Sequence, residues 1–384
     1  MEGGAGSQRY NGLVPSSAPS VASHRDPAPY RALVRPDGAR YIETIDQRAL
    51  PHSVVTTKIA DADTVALAIS KMWVRGAPLI GAVGAYGLAL ALDRDASDTA
   101  LAKAHAMLDA TRPTAVNLRW ALDRVRAAVA LRPESERADA AWREADAIAA
   151  EDVAINHAIG VHGLALLRDI TRRKQGTMQI MTHCNAGALA TCGWGTATAP
   201  VFLAHAEGIP VHVWVSETRP RLQGANLTAW ELASRGVPHT VFVDGAAGLL
   251  MRRGDVDIVI VGADRVAGNG DVCNKIGTYD KALAATDNGI PFHVAVPSPT
   301  FDFALPSGDA IPIEARDPDE VLNVTGHDDQ ARAVTVRLTP PGTRAVNYAF
   351  DITPARLVTG LVTERGAAPA TRAGIEALFP ERVR

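Results

Sequence analysis

Two segments, THCNAG at residues 182–187 and GADRVAGNGDVCNKIGT at residues 262–278, decide how this chain is read. Each follows an apolar run, 178–181 before the first and 257–261 before the second, that reads as a buried strand. In a parallel α/β sheet the loops beyond the strands' carboxyl ends hold ligands, because loop amides and helix N-termini converge there. A thiol, Cys184, and a carboxyl, Asp264, are therefore expected to share a pocket.

Working outward, strand-like runs at 178–181, 211–215, 240–243, 257–261 and 292–296 alternate with segments long enough for crossover helices. This alternation marks an α/β fold with a doubly wound parallel sheet. One crossover helix is expected to open at Thr228-Ala229-Trp230-Glu231, which has the spacing of a capping box. A small-residue helix is expected from about Ala186, and another over 276–285.

The first half reads as mainly helical. Residues 61–73 put Val65, Ile69, Met72 and Trp73 on one helical face. Arg75-Gly76-Ala77-Pro78 interrupts that helix, and the Gly/Ala-rich run 77–92 reads as a buried one. Pro113 suits a first helical position, with Leu118, Leu122, Val125 and Val129 following at helical spacing. An Ala-rich helix covers about 139–170, its charges read as a solvated face. Before these, 30–34 and 41–45 flank Pro36-Asp37-Gly38 as a hairpin. Residues 1–28, rich in Gly, Ser and Pro, read as a disordered tail. Beyond Pro297 the chain looks irregular up to Thr353 and Pro354, which suit the start of a helix over 355–362. The expected division is thus a tail (1–28), an N-terminal mainly helical domain with a small hairpin (29–176) and a C-terminal domain built on the sheet (177–384).

Composition narrows the function. With 47% hydrophobic residues and a net charge of −3 over 384 residues, the chain has neither the basic footprint of nucleic-acid binding nor an acidic tail. A small-molecule partner is expected. Three cysteines without C-x-x-C spacing fit a reduced, cytoplasmic compartment. The apolar run 77–92 is shorter than the ~20 residues of a membrane span, and the first residues lack a signal-peptide pattern.

Several residues could carry chemistry. Cys184 would be favoured as thiolate by a helix N-terminus and disfavoured by a dry apolar pocket; the residues leave both open. A carboxyl such as Asp264, at the end of a buried run, can serve as an acid near neutral pH. Gly262, Gly268, Gly270 and Gly277 let backbone approach an anion, although neither a Walker loop nor G-x-G-x-x-G is present. Asn274 and Lys275 precede a helix, and Arg75 and Arg112 could supply phosphate-binding forks. His157 and His162, five apart, do not make a metal pair on one face, and His183 reads as pocket lining. No metal or cofactor is expected.

Together, THCNAGALAT (182–191), SETRPRLQGANLTAWEL (216–232), VGADRVAGNGDVCNKIGTY (261–279), VRGAPLIG (74–81), RPTAVNLRWAL (112–122) and NYAFDITPARLVTGLVTERG (347–366) resemble the methylthioribose-1-phosphate isomerase family. The resemblance implies a Rossmann-like catalytic domain behind a smaller helical one, usually as a homodimer. It implies conversion of 5-methylthioribose 1-phosphate to 5-methylthioribulose 1-phosphate in methionine salvage. It also implies Asp264 as acid, Cys184 as essential thiol, and Arg75, Gly76, Ala77, Arg112, Gln223, Asn274 and Lys275 as substrate contacts. Two departures, Ser216 and the turn Asp244-Gly245-Ala246-Ala247, leave the sugar's 5-substituent less secure.

Two other readings remain open. One is an isomerase for 5-deoxyribose 1-phosphate or ribose 1,5-bisphosphate, although no second cationic cluster stands out beyond Arg75, Arg112 and Lys275. The other is a non-catalytic regulatory subunit resembling those of the translation-initiation nucleotide exchange factor, against which the intact Cys184 and Asp264 motifs speak.

Overall fold

The computed structural model describes residues 31–112 and 115–382. The expected tail, and Pro113 as a helix start, lie outside the described residues. The helical part opens with strands β1 (Leu33–Val34), β2 (Ile42–Ile45) and β3 (Thr56–Ile59), an antiparallel sheet that extends the expected hairpin by one strand. Helices α1 (Ala62–Ser70), α2 (Ala77–Arg94), α3 (Asp98–Asp109), α4 (Val116–Val129) and α5 (Glu134–Arg173) follow. Asp61 caps α1 by accepting the Thr64 amide at 2.7 Å. Most of α2 is buried on all sides, as its Gly/Ala content allows.

The second part contains β4 (Met178–Thr182), α6 (Ala199–Ala206), β5 (Val211–Ser216), α7 (Ala229–Ser234), β6 (His239–Phe242), α8 (Ala247–Arg252) and β7 (Ile258–Val261). It continues through β8 (Arg265–Ala267), β9 (Val272–Lys275), α9 (Thr278–Asp287), β10 (Phe292–Ala295), β11 (Phe301–Asp302), α10 (Asp319–Leu322), β12 (Asn323–His327) and β13 (Ala333–Arg337). It ends with β14 (Phe350–Thr353), β15 (Gly360–Thr363), β16 (Gly366–Ala368) and α11 (Arg372–Leu378).

The main sheet has the order β16-β15-β10-β7-β4-β5-β6, parallel except for β16. Its parallel strands follow the Rossmann order, with the direction of winding reversing between β4 and β7. In β7, Ile258 and Ile260 join the core under α5 and α6, while Val259 and Val261 join the opposite core. Burial on both faces explains the unbroken apolar run. Half of α5 packs in the helical core, through Trp142, Ala145 and Ile148. The other half packs on the sheet, through Ile159, Leu164 and Leu167.

Several expectations fail. Residues 355–362 form a 3₁₀ turn and then β15, because every residue of β15 is buried in the sheet. No helix begins at Ala186; residues 183–198 form a loop with one 3₁₀ turn (Ala188–Ala190). Thr228 is already helical, so there is no capping box, and Glu231 turns inward. The stretch after Pro297 is ordered into β11, α10, β12 and β13. On α5, Arg137 and Asp152 are buried, so its charges are not all a solvated face.

Candidate active site

The switch point between β4 and β7 opens into a cavity of about 610 Å3. Arg75, Gly76, Ala77, Arg112, Cys184, Gln223, Asp264, Asn274 and Lys275 all line it. Cys184 stands two residues beyond β4 and Asp264 three beyond β7. Their loops touch, since a Cβ on Gly262 would come 2.7 Å from that of Ala186. The helical part closes on the same loop: Gly76, at φ +94°, has no room for a side chain, with Ala190 2.5 Å from the ideal Cβ position. Glycine is needed there for both conformation and approach.

The thiol loop is held by hydrogen bonds from three directions. Cys184 lies at φ +64° and Thr218 at φ +66°, left-handed conformations that persist only where the surroundings enforce them. The Cys184 amide donates to the Thr218 hydroxyl (2.9 Å), and the Thr228 hydroxyl donates to the Cys184 carbonyl (2.7 Å). Glu231, fully enclosed, accepts the Ala188 and Leu189 amides (2.7 and 3.1 Å) and the Asn185 side-chain amide (2.8 Å). Burial still pushes its carboxyl above the usual range. The Asn185 side-chain and backbone oxygens accept the Arg75 guanidinium (2.5 and 2.7 Å), so the thiol loop and the helical part are joined through one asparagine.

On the other side, the Asp264 amide donates to the Cys273 carbonyl at 2.9 Å, tying the acid to β9. Lys275, buried, donates to the Ala349 carbonyl (2.7 Å) and lies 4.5 Å from the Phe350 ring centroid. Burial, reinforced by Arg316 and Arg112, pushes its ammonium down to about 8. Burial, then Arg316, also depresses Arg112, whose Nε is buried without a partner. Gln223 likewise has a buried, unpartnered Oε1. Both residues line the cavity, while these two atoms are themselves enclosed.

His183 donates to the Ile276 carbonyl at 2.8 Å; burial and then Lys281 push its imidazole down to about 3, so it stands neutral on the wall. His157 packs edge-on against Trp194, with centroids 4.9 Å apart. Among the described residues, no group of three or more His, Cys, Asp or Glu is arranged to hold a metal ion.

More charge lines the cavity than the sequence reading allowed: Arg48, Arg221, Arg265 and Arg316, with Asp317, Asp319 and Glu320. A second thiol, Cys273, also reaches the wall, and burial followed by Asp264 pushes it up, which keeps it protonated. Sequence reasoning passed over Asn185 and Glu231, although both lie inside the quoted motifs. Arg316 sits in a stretch with no pattern to mark it. Neither Ser216 nor residues 244–247 line the cavity. Instead Asp244 accepts the Ser216 hydroxyl and the Thr218 and Arg219 amides. Against the effect of burial, these bonds hold its carboxyl below the usual range.

Comparison with known proteins accords with this geometry. Residues 73–370 match the Initiation factor 2 subunit family. The methylthioribose-1-phosphate isomerase of Gluconobacter oxydans (strain 621H) is 58% identical over 360 residues, covering 92% of this chain and 98% of that protein. The crystal structure of 5-methylthioribose 1-phosphate isomerase from Pyrococcus horikoshii OT3 superposes with a TM-score of 0.79 at 39% identity, over 91% of this chain and 96% of that one. That of translation initiation factor eIF-2B, subunit delta, from A. fulgidus gives 0.75 at 36% identity, over 91% and 99%. A thiol and an acid at the switch point of a Rossmann-like sheet, together with identity of this extent, show that the chain belongs to the methylthioribose-1-phosphate isomerase family, within the wider Initiation factor 2 subunit family.

Proposed function

We propose that this protein is an aldose–ketose isomerase that converts 5-methylthioribose 1-phosphate to 5-methylthioribulose 1-phosphate in methionine salvage. The observation that carries the reading is one cationic cavity that holds both Cys184 and Asp264. Phosphate on the anomeric oxygen prevents the sugar from opening to a free aldehyde. Ring opening therefore requires a proton on the ring oxygen, and Asp264 supplies it. Hydrogen then moves from C2 to C1, with Cys184 taking part in that transfer, and the C2 hydroxyl becomes the ketone by giving its proton to the Asp264 carboxylate, which restores the acid. Arg75, Arg112, Asn274 and Lys275, with Gln223 and the backbone of Gly76 and Ala77, hold the phosphorylated sugar. The amides at the N-terminus of α2 favour an anion there. Leu50, Met72 and Leu227 offer apolar surface for a methylthio group.

The test is ketose formation from a panel of sugar 1-phosphates that includes 5-deoxyribose 1-phosphate and ribose 1,5-bisphosphate, with Cys184→Ser and Asp264→Asn alongside. Each substitution is expected to lower turnover at least ~100-fold, the scale of lost acid–base catalysis. Full activity in both variants would sink the mechanism, and a preference for the bisphosphate would change the substrate. Turnover in deuterated water separates proton transfer, which labels C1, from a direct hydride shift, which does not. Similarity to the A. fulgidus initiation-factor subunit supports a non-catalytic reading, which complete inertness toward the whole panel would favour.

The same reading includes a cytoplasmic homodimer divided near Gly176 into helical and sheet domains. Three buried free cysteines fit a reducing compartment, and no described helix is long and apolar enough to cross a membrane. Sedimentation equilibrium tests the dimer.

A further inference from the structure

Residues 314–316 run extended beside 347–349, with the Ala349 amide donating to the Glu314 carbonyl (2.9 Å) and the Arg316 amide to the Asn347 carbonyl (2.8 Å). The Ala349 carbonyl is also the acceptor for Lys275. The next residue, Phe350, presents its ring to two cations, Lys275 Nζ at 4.5 Å and Arg316 Cζ at 5.6 Å from the centroid. Backbone pairing and one aromatic face thus fix Arg316 next to Lys275.

Glu314 accepts Arg316 Nε at 2.9 Å and Nη2 at 3.3 Å, and lies 3.6 Å from Arg112 Nη2. Burial opposes ionisation of Glu314, yet Arg316, Arg112 and Lys275 hold its carboxyl below the usual range. Glu314 is not on the cavity wall, whereas Arg112, Lys275 and Arg316 all are. A carboxylate behind the wall therefore orients two guanidiniums toward the cavity. Three cations meet the Glu314 carboxylate, and Asp264 faces Arg112 and Lys275 as well, so positive charge still exceeds negative here, as an anionic ligand requires.

We propose that Arg316 is a further substrate-binding residue, forming with Arg112 and Lys275 the subsite that takes the phosphate group, with Glu314 as the positioning residue that aims the two arginines. The proposal rests on the sugar-phosphate reading above and assigns its anionic end. An arginine here outperforms a lysine because its planar fork can keep Glu314 on one edge and offer another to phosphate oxygens.

Calorimetric titration of the full chain with inorganic phosphate, between pH 7 and pH 10, tests this without requiring turnover. Arg316→Met should weaken phosphate binding at pH 7 by about tenfold or more, the scale of a charge-assisted hydrogen bond lost. The groups facing Lys275 are Arg316, Arg112, Cys184, Asp264, Glu314, His183 and Cys273. Removing Arg316 takes away a positive neighbour, so the alkaline fall in binding, near 8 in the parent, should move to higher pH. Arg316→Lys keeps the charge and should leave that fall in place with intermediate affinity, and it serves as the folded control if the Met variant does not accumulate. Equal affinity in parent and Arg316→Met, weaker binding with no movement of the alkaline fall, or no phosphate binding by the parent would each overturn the assignment. Absence of sugar isomerisation with phosphate binding still dependent on Arg316 would overturn the proposed reaction and leave the subsite standing.

Discussion

The two walls of the cavity are held by opposite means. On the thiol wall, Glu231, Asn185, Thr218 and Thr228 exchange hydrogen bonds with each other, with the Cys184 loop and with Arg75. On the cation wall, Arg112, Lys275 and Arg316 repel one another, burial and repulsion depress Lys275 to about 8, and Arg112 Nε lacks a partner. The first arrangement is complete when the chain folds. The second is the wall proposed to receive the phosphate.

The sharpest way to break this contrast is Glu231→Ala, which strips acceptors from two buried amides and from Asn185 at once. Removing one partner from such a buried charged network costs about 3–5 kcal/mol, so urea unfolding should show a loss of that order. An unchanged midpoint would mean that the thiol wall is not self-supporting. On the cation wall the effect is of opposite kind. Lys275 titrates near ~10.4 when unfolded and about 8 when folded, so between these values the unfolded state binds more protons. The parent should therefore gain stability relative to Lys275→Met as pH rises from about 8 to 10, by on the order of 1–3 kcal/mol, while its phosphate affinity falls. Parallel stability curves for the two would remove the strain argument.

Asn185→Ala links the walls, since it removes the side-chain acceptor of Arg75 and leaves it only the backbone carbonyl. A loss of about 1–2 kcal/mol in stability is expected from the hydrogen bonds removed, with KM raised and kcat less affected. A change confined to kcat would place Asn185 with the chemistry instead. Smallest is Ser216→Ala: Asp244 keeps two backbone amides, so about 1 kcal/mol or less is at stake, and kcat/KM should stay within about twofold of the parent, a window of ~0.4 kcal/mol. A larger loss would tie the altered turn to catalysis.

Legibility in the sequence followed the same division. The strands leading to Cys184 and Asp264 were readable because β4 and β7 are compact apolar runs ending at small and polar residues. β15 was mistaken for a helix because a strand buried on both faces has no alternation, and periodicity alone cannot separate it from a helical segment. Thr228 and Glu231 have capping spacing, but a tertiary demand, the two amides of the thiol loop, captures the carboxylate. Glu314 and Arg316 left no local trace, since their place depends on pairing with residues more than 30 positions away. The thiol and acid carried chemical signatures, whereas Glu314 and Arg316 act through long-range contacts that no short motif encodes.

The 40-residue helix α5 has a consequence for how this chain can change. Trp142 and Ile148 fit one core and Ile159 and Leu167 another, so the helix meshes with both halves at fixed angular settings. One inserted residue between those sets would turn the later face by about 100° and advance it about 1.5 Å, and neither core could follow. Drift in the lineage can replace the outward residues of α5, but single insertions and deletions between positions 149 and 158 are closed to it.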